Sequence, residues 1–163
     1  MEITISSPKA VAARRTSVEL LLSNHSMQCQ QCDKNEYCEL LHVARVTGAR
    51  EDMFEGSKTP TTIDRLTPAI ERDTSKCILC GRCIERCKNA HGKGILGFEN
   101  RGFATIVAPA ENRSFANSPC ILCGQCTSVC PTGALMEKSE IELVDEARRQ
   151  GKFLVVQTAP AVR

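Results

Sequence analysis

Eleven cysteines in 163 residues set the chemistry of this sequence. Eight of them fall in two runs of one spacing. Cys77-Ile78-Leu79-Cys80-Gly81-Arg82-Cys83-Ile84-Glu85-Arg86-Cys87 is followed forty-three residues later by Cys120-Ile121-Leu122-Cys123-Gly124-Gln125-Cys126-Thr127-Ser128-Val129-Cys130, and both read C-x2-C-x2-C-x3-C. Seven of the eleven aligned positions are identical, so the runs are an internal repeat. A cubic 4Fe–4S cluster presents four irons that each take one thiolate, and three Cys at x2 spacing wrap a tight loop around three corners. Zinc sites mostly use two knuckles of two ligands each, which three consecutive x2-spaced Cys fit poorly. Gly81 and Gly124 let the backbone come close to a sulfide and aim N–H groups at it. Ile78, Leu79, Ile121 and Leu122 would give the cluster apolar cover, one of the levers on its potential.

The spacing is that of a two-cluster bacterial ferredoxin, in which the fourth Cys of each run ligates the other cluster. On that pattern Cys77, Cys80, Cys83 and Cys130 hold one cluster, and Cys87, Cys120, Cys123 and Cys126 hold another. The first run departs from the pattern at Lys88, which stands where Pro131 follows Cys130. Proline there shapes the chain rather than ligating, so the ligand set is expected to be unchanged.

A third constellation lies upstream: His25, Cys29, Cys32 and Cys38, spaced H-x3-C-x2-C-x5-C. By spacing alone it could hold zinc through three thiolates and one imidazole, or a cluster. Counting favours a cluster: eleven Cys plus one His are the twelve ligands that three 4Fe–4S clusters need. A neutral imidazole in place of an anionic thiolate would ease reduction of that cluster. His42 reads as a helix-surface residue, His91 as a loop residue and Met27 as packing.

Residues 1–13 read as a linker, and a short helix is expected from Thr16 or Ser17 to Asn24. A second helix is predicted over about Glu36–Thr47, ended by Gly48. Strands are predicted near Ala69–Arg72, at Ile95–Glu99 and Phe103–Val107 around a three-residue turn, and at Ala134–Glu137. Ser139-x-x-Glu142 predicts a capped helix ended by Gly151, and the apolar run Phe153–Val156 a buried strand of a larger sheet. The fold class is therefore α+β: a small helical iron–sulfur domain with one His and three Cys ligands (14–60), then a two-cluster ferredoxin-like domain (61–138), then a helix and strand entering another domain (139–163).

Composition sets bounds on these readings. Aromatics are scarce, with no Trp, one Tyr and five Phe, so the core is small and bound metal is expected to help hold the fold. A net charge of +2 with scattered basic residues gives no argument for nucleic acid or a membrane surface. No apolar run approaches the ~20 residues that span a bilayer. No signal-peptide pattern opens the chain, so a cytoplasmic, reducing setting is expected, where clustered Cys act as ligands rather than disulfides. No phosphate-binding glycine loop, catalytic triad or acid–base pair is present, so no substrate chemistry is assigned to this chain.

Taken together, His25/Cys29/Cys32/Cys38, the twin runs and the final Thr158-Ala159-Pro160-Ala161-Val162-Arg163 resemble the N-terminal accessory region of iron-only (FeFe) hydrogenases. The resemblance covers residues 14–163, and the last segment is the one that favours hydrogenase. It implies an electron relay through three 4Fe–4S clusters toward a catalytic H-cluster domain, with the Cys77, Cys80, Cys83 and Cys130 cluster nearest that domain. It also implies a redox partner, either a ferredoxin or an NAD(P)H-oxidising flavoprotein subunit. Residues 1–13 look like the exit of an upstream 2Fe–2S domain, and a chain without the catalytic domain's own cysteines should not make hydrogen alone. The one-His, three-Cys motif is shared with complex-I-like NADH dehydrogenase subunits and formate dehydrogenases, the first alternative. A zinc-stabilised interaction module without redox function is the second.

Overall fold

The computed structural model describes residues 3–55 and 58–159. Helix α1 spans Pro8–Asn24, and Ser7 Oγ accepts the Ala10 N–H at 3.3 Å to cap it. Pro8 sits in the first turn, where a missing N–H leaves nothing unpaired. The expected linker through residue 13 is thus helical from Pro8 on. The stretch Ala10-Val11-Ala12-Ala13 has helix propensity but no apolar stripe, so periodicity does not register it.

Helix α2 spans Glu39–Thr47 and is closed by Gly48 in the left-handed conformation, φ 62°. It starts later than the predicted Glu36 because Cys38 is extended and serves as its cap, Sγ accepting the Leu41 N–H at 3.5 Å. Val18 and Leu22 of α1 pack on Leu40 and Ala44 of α2, with Met27 and Ile78 against them. Ile78 belongs to the first cysteine run, so that run is also part of the helical core.

The second unit begins with β1 (Ile63–Asp64) and β2 (Ile70–Asp73), followed by α3 (Arg82–His91). A hairpin of β3 (Leu96–Glu99) and β4 (Ile106–Pro109) comes next, then α4 (Gln125–Ser128) and β5 (Leu135–Glu137). β2 lies between β1 and β5, antiparallel to both, with Asp64 opposite Arg72 and Arg72 opposite Leu135. The hairpin is a separate antiparallel pair, Leu96 opposite Pro109 and Glu99 opposite Ile106. Its connection is longer than the predicted three-residue turn, since a 3₁₀ turn at Gly102–Ala104 holds Phe103 out of the strand. The core joins Ile70, Leu96, Val107, Phe115 and Leu135 to three cysteines, Cys83, Cys126 and Cys130.

Helix α5 (Ile141–Arg149) buries none of its residues. The predicted capping box does not form: Glu140 is the cap position and gives no side-chain hydrogen bond. The predicted strand Phe153–Val156 is likewise not formed; its residues have no regular structure and are 93, 44, 76 and 89% exposed. A strand needs a neighbour for its N–H and C=O groups, and none is present among the described residues. Pro160–Arg163, which carry part of the resemblance, lie outside the described residues.

Candidate metal centres

The two runs follow the same backbone path. Leu79 and Leu122 are both left-handed at φ 55°, and Gly81 and Gly124 follow at φ 74° and 72°. A left-handed leucine costs on the order of 1–2 kcal/mol, so the path is one that the local structure enforces twice. Its effect is to turn the Leu79 N–H onto Cys77 Sγ and the Leu122 N–H onto Cys120 Sγ, each at 3.4 Å. Each glycine is then the cap position of a helix that carries the third Cys. The helices differ in length because Lys88 continues α3 to His91, whereas α4 stops short of Pro131, which has no N–H to offer. His91 thus ends a helix rather than lying in a loop, and His42 is on the exposed face of α2.

Cys77, Cys80, Cys83 and Cys130 line one recess. The fourth cysteine of the second run therefore meets the first three of the first run. Burial, followed by the pull of a neighbouring N–H and the repulsion of Cys130 and Cys80, leaves the Cys77 thiol pushed up to about 11. Burial and then Cys77, Cys130 and Cys80 push Cys83 up to about 12. In the other group, burial and then Cys120, Cys123 and Cys87 act on Cys126, also pushed up to about 12. Cys29 is raised by burial and by Cys38 and Cys32. Burial thus holds the protons of Cys77, Cys83 and Cys126 until a metal displaces them.

His25 follows α1 and is buried, its backbone N–H bonded to the Leu22 carbonyl at 3.0 Å. Burial, and then the charge of Lys76, lower its pKa, so the ring is neutral at pH 7. Its Nδ1 has no hydrogen-bond partner among the described residues. A buried neutral imidazole with an unpartnered nitrogen suits a metal ligand. Among the described residues no three His, Cys, Asp or Glu side chains close on one point as the ligands of a single ion do. The ligands of a cubane have no such need, since each binds a different iron.

The helical unit is seated directly on the second run. The Glu39 N–H, next to Cys38, donates to the Pro131 carbonyl, next to Cys130, at 3.0 Å. The Ser26 N–H donates to the Ser75 carbonyl at 2.9 Å. A Cβ on Gly133 would stand 2.9 Å from Cys32 Sγ, so only glycine admits this approach.

Two family models match. Residues 14–52 match the "NADH-ubiquinone oxidoreductase-G iron-sulfur binding region", and residues 67–136 match the "NADH-quinone oxidoreductase subunit 3, ferredoxin-like domain". The chain carries an NADH-G-like iron–sulfur region. Its cofactors are 4Fe–4S clusters, and its fold is a ferredoxin-like domain preceded by that N-terminal iron–sulfur region. Regions of this kind occur in electron-transfer subunits of NADH-quinone oxidoreductases and of hydrogenases. The chain is 42% identical over 164 residues to the NADP-reducing hydrogenase subunit HndD of Solidesulfovibrio fructosivorans, covering 100% of this chain and 28% of that protein. It is 32% identical over 151 residues to iron hydrogenase 1 of Clostridium pasteurianum, covering 91% of this chain and 26% of that protein. It therefore spans about a quarter of these curated relatives. Among solved structures it is similar to a chain of an NAD+-reducing [NiFe]-hydrogenase in the H2-reduced state, with a TM-score of 0.75 and 27% identity, covering 82% of this chain and 57% of that one.

Within this NADH-G-like region, three residues that matter went unread in the sequence. Thr132 Oγ1 donates to the Lys76 carbonyl at 2.6 Å and lies 3.8 Å from Cys130 Sγ, tying the two runs together. Gly133 admits Cys32. Arg72 is buried in the wall of the Cys77 recess. Only Arg72 had a signal: it shares the inward-facing parity of Ile70 on a strand, where a charge is out of place.

Proposed function

We propose that the chain relays electrons through three 4Fe–4S clusters to or from the H-cluster domain of an FeFe hydrogenase. The ligand sets of this proposal are His25, Cys29, Cys32 and Cys38; Cys77, Cys80, Cys83 and Cys130; and Cys87, Cys120, Cys123 and Cys126. The observation that carries it is the recess that Cys130 shares with Cys77, Cys80 and Cys83, which is what crossed ligation of two clusters requires. When bound, the clusters supply the one-electron chemistry. The residues supply burial, orientation and the spacing between centres. Between Cys38 and Cys130 the connection is short, one peptide step to Glu39, its hydrogen bond to Pro131, and one step back. That favours exchange between the His25 centre and the centre completed by Cys130.

Identity with HndD along the whole chain supports the hydrogenase assignment, as does the Thr158–Arg163 resemblance. The domain boundaries of the proposal are 14–60, 61–138 and 139–163, with the catalytic domain following. HndD is named as part of an NADP-reducing enzyme, so the partner proposed here is an NAD(P)H-oxidising flavoprotein subunit or a ferredoxin, in the cytoplasm. No helix among the described residues is long and apolar enough to cross a membrane. The family models favour one second reading, the equivalent relay of a complex-I-like NADH dehydrogenase subunit. Sequence beyond Arg163 separates the two: a molybdopterin-type continuation would remove the hydrogenase reading.

Metal analysis tests the chemistry. Anaerobically purified chain should hold about twelve irons and twelve labile sulfides, and its brown absorbance should bleach with dithionite. Stoichiometric zinc with little iron would leave only an interaction module.

A further inference from the structure

Resting on the ligand sets proposed above, we infer that Arg72 sets the potential of the cluster held by Cys77, Cys80, Cys83 and Cys130 by keeping a fixed positive charge in the wall of its recess. Arg72 is 2% exposed, and it lines that recess with the four cysteines. It takes part in none of the ion pairs among the described residues. One end of the guanidinium is anchored: Nη1 donates to the Val107 carbonyl at 3.3 Å and to Asn112 Oδ1 at 3.0 Å. Its Nε is buried with no partner among the described residues. A buried guanidinium that lacks a carboxylate is costly unless an anion lies nearby. Asp64, its cross-strand neighbour, already accepts from the Phe115 N–H and Ser114 Oγ, each at 2.8 Å. The Asp64 carboxylate acts on Arg72 through space without pairing with it, and on the recess side the anion is the cluster with its four thiolates.

The repeat supplies an internal control. The offset that aligns Cys77 with Cys120 aligns Arg72 with Phe115, which is also 2% exposed. The cation thus occurs in one half of the sequence repeat only, Arg72 lying in β2 and Phe115 in a 3₁₀ turn. Reduction adds an electron to a cluster that is already anionic, so a nearby fixed cation favours the reduced state. Arg72 therefore raises the potential of the centre whose recess it lines.

The test is an EPR-monitored redox titration of the full chain, with iron and sulfide counted in every sample. Arg72→Met should lower the potential of one cluster only. A tenfold fall in its reduced-to-oxidised ratio at fixed ambient potential is expected, which for a one-electron couple is 59 mV. Arg72→Lys should recover most of the loss, and Asn112→Ala, which frees the anchored end, should broaden or shift the same signal alone. Full loading of Arg72→Met with no shift, an upward shift or equal shifts in all signals would overturn the inference while leaving the cluster assignment intact. If Arg72→Met does not load, Arg72→Lys decides: loading at the parent potential supports a need for the charge, and an equally empty chain refutes it. A parent chain without iron would instead bring down the assignment itself.

Discussion

His25 and Gly133 show how much single residues contribute to the first centre. His25 is the one nitrogen donor of the proposed sets, neutral through burial. Replacing it with cysteine puts an anionic ligand in place of a neutral one. His25→Cys should therefore keep the cluster and lower its potential on the order of 100 mV, judged from the effect of imidazole in Rieske centres. An EPR titration showing no shift, or a rise, would mean that His25 is not a ligand. Gly133→Ala acts through space. Its added carbon would meet Cys32 Sγ at 2.9 Å and both Lys76 Cδ and Met136 Sδ at 3.4 Å. Overpacking of this kind costs about 1–3 kcal/mol. Iron content should fall by about a third as the His25 centre is lost, on the three-cluster count. Gly97→Ala, with nothing within 4 Å of the added carbon, should hold its full complement.

At the scale of elements, α5 and the segment after it stand apart. None of α5 is buried, and Phe153–Val156 lie open. Truncation after Lys138 should leave iron content and the thermal midpoint unchanged, with a stability change within about 0.5 kcal/mol. A fall in midpoint of several degrees would show that α5 supports the clusters. Limited chymotrypsin digestion should cut first at Phe153. The same elements show what a sequence can and cannot reveal. The cysteine spacing predicts that Cys130 ligates with the first run, and in the structure Cys130 lines the same recess as Cys77, Cys80 and Cys83. Helix α2 and its Gly48 end were legible from the apolar stripe and the glycine. The first half of α1 was not, since alanines carry propensity without a pattern. Phe153–Val156 read as a strand because hydrophobicity reports a wish for burial, not the presence of a partner. The contacts of Thr132 and Gly133 link segments far apart in sequence, and no local signal encodes them.

As a whole molecule, the chain has two small cores that meet at the cysteine runs. Ile78 belongs to a cysteine run and packs in the helical core, while Cys83, Cys126 and Cys130 are part of the other core. Thiols with protons held by burial pack in the second of these cores, so loading and folding are coupled. The recess formed by Cys77, Cys80, Cys83 and Cys130 has a further consequence, one of timing. A ribosome makes three walls of that recess well before it makes the fourth. Until Cys130 emerges, the earlier thiols wait uncovered, open to oxidation and to stray metals. An assembly factor that delivers a preformed cluster to this recess would have to act after that point, and a nascent chain stalled before it would lack the centre that Cys130 completes.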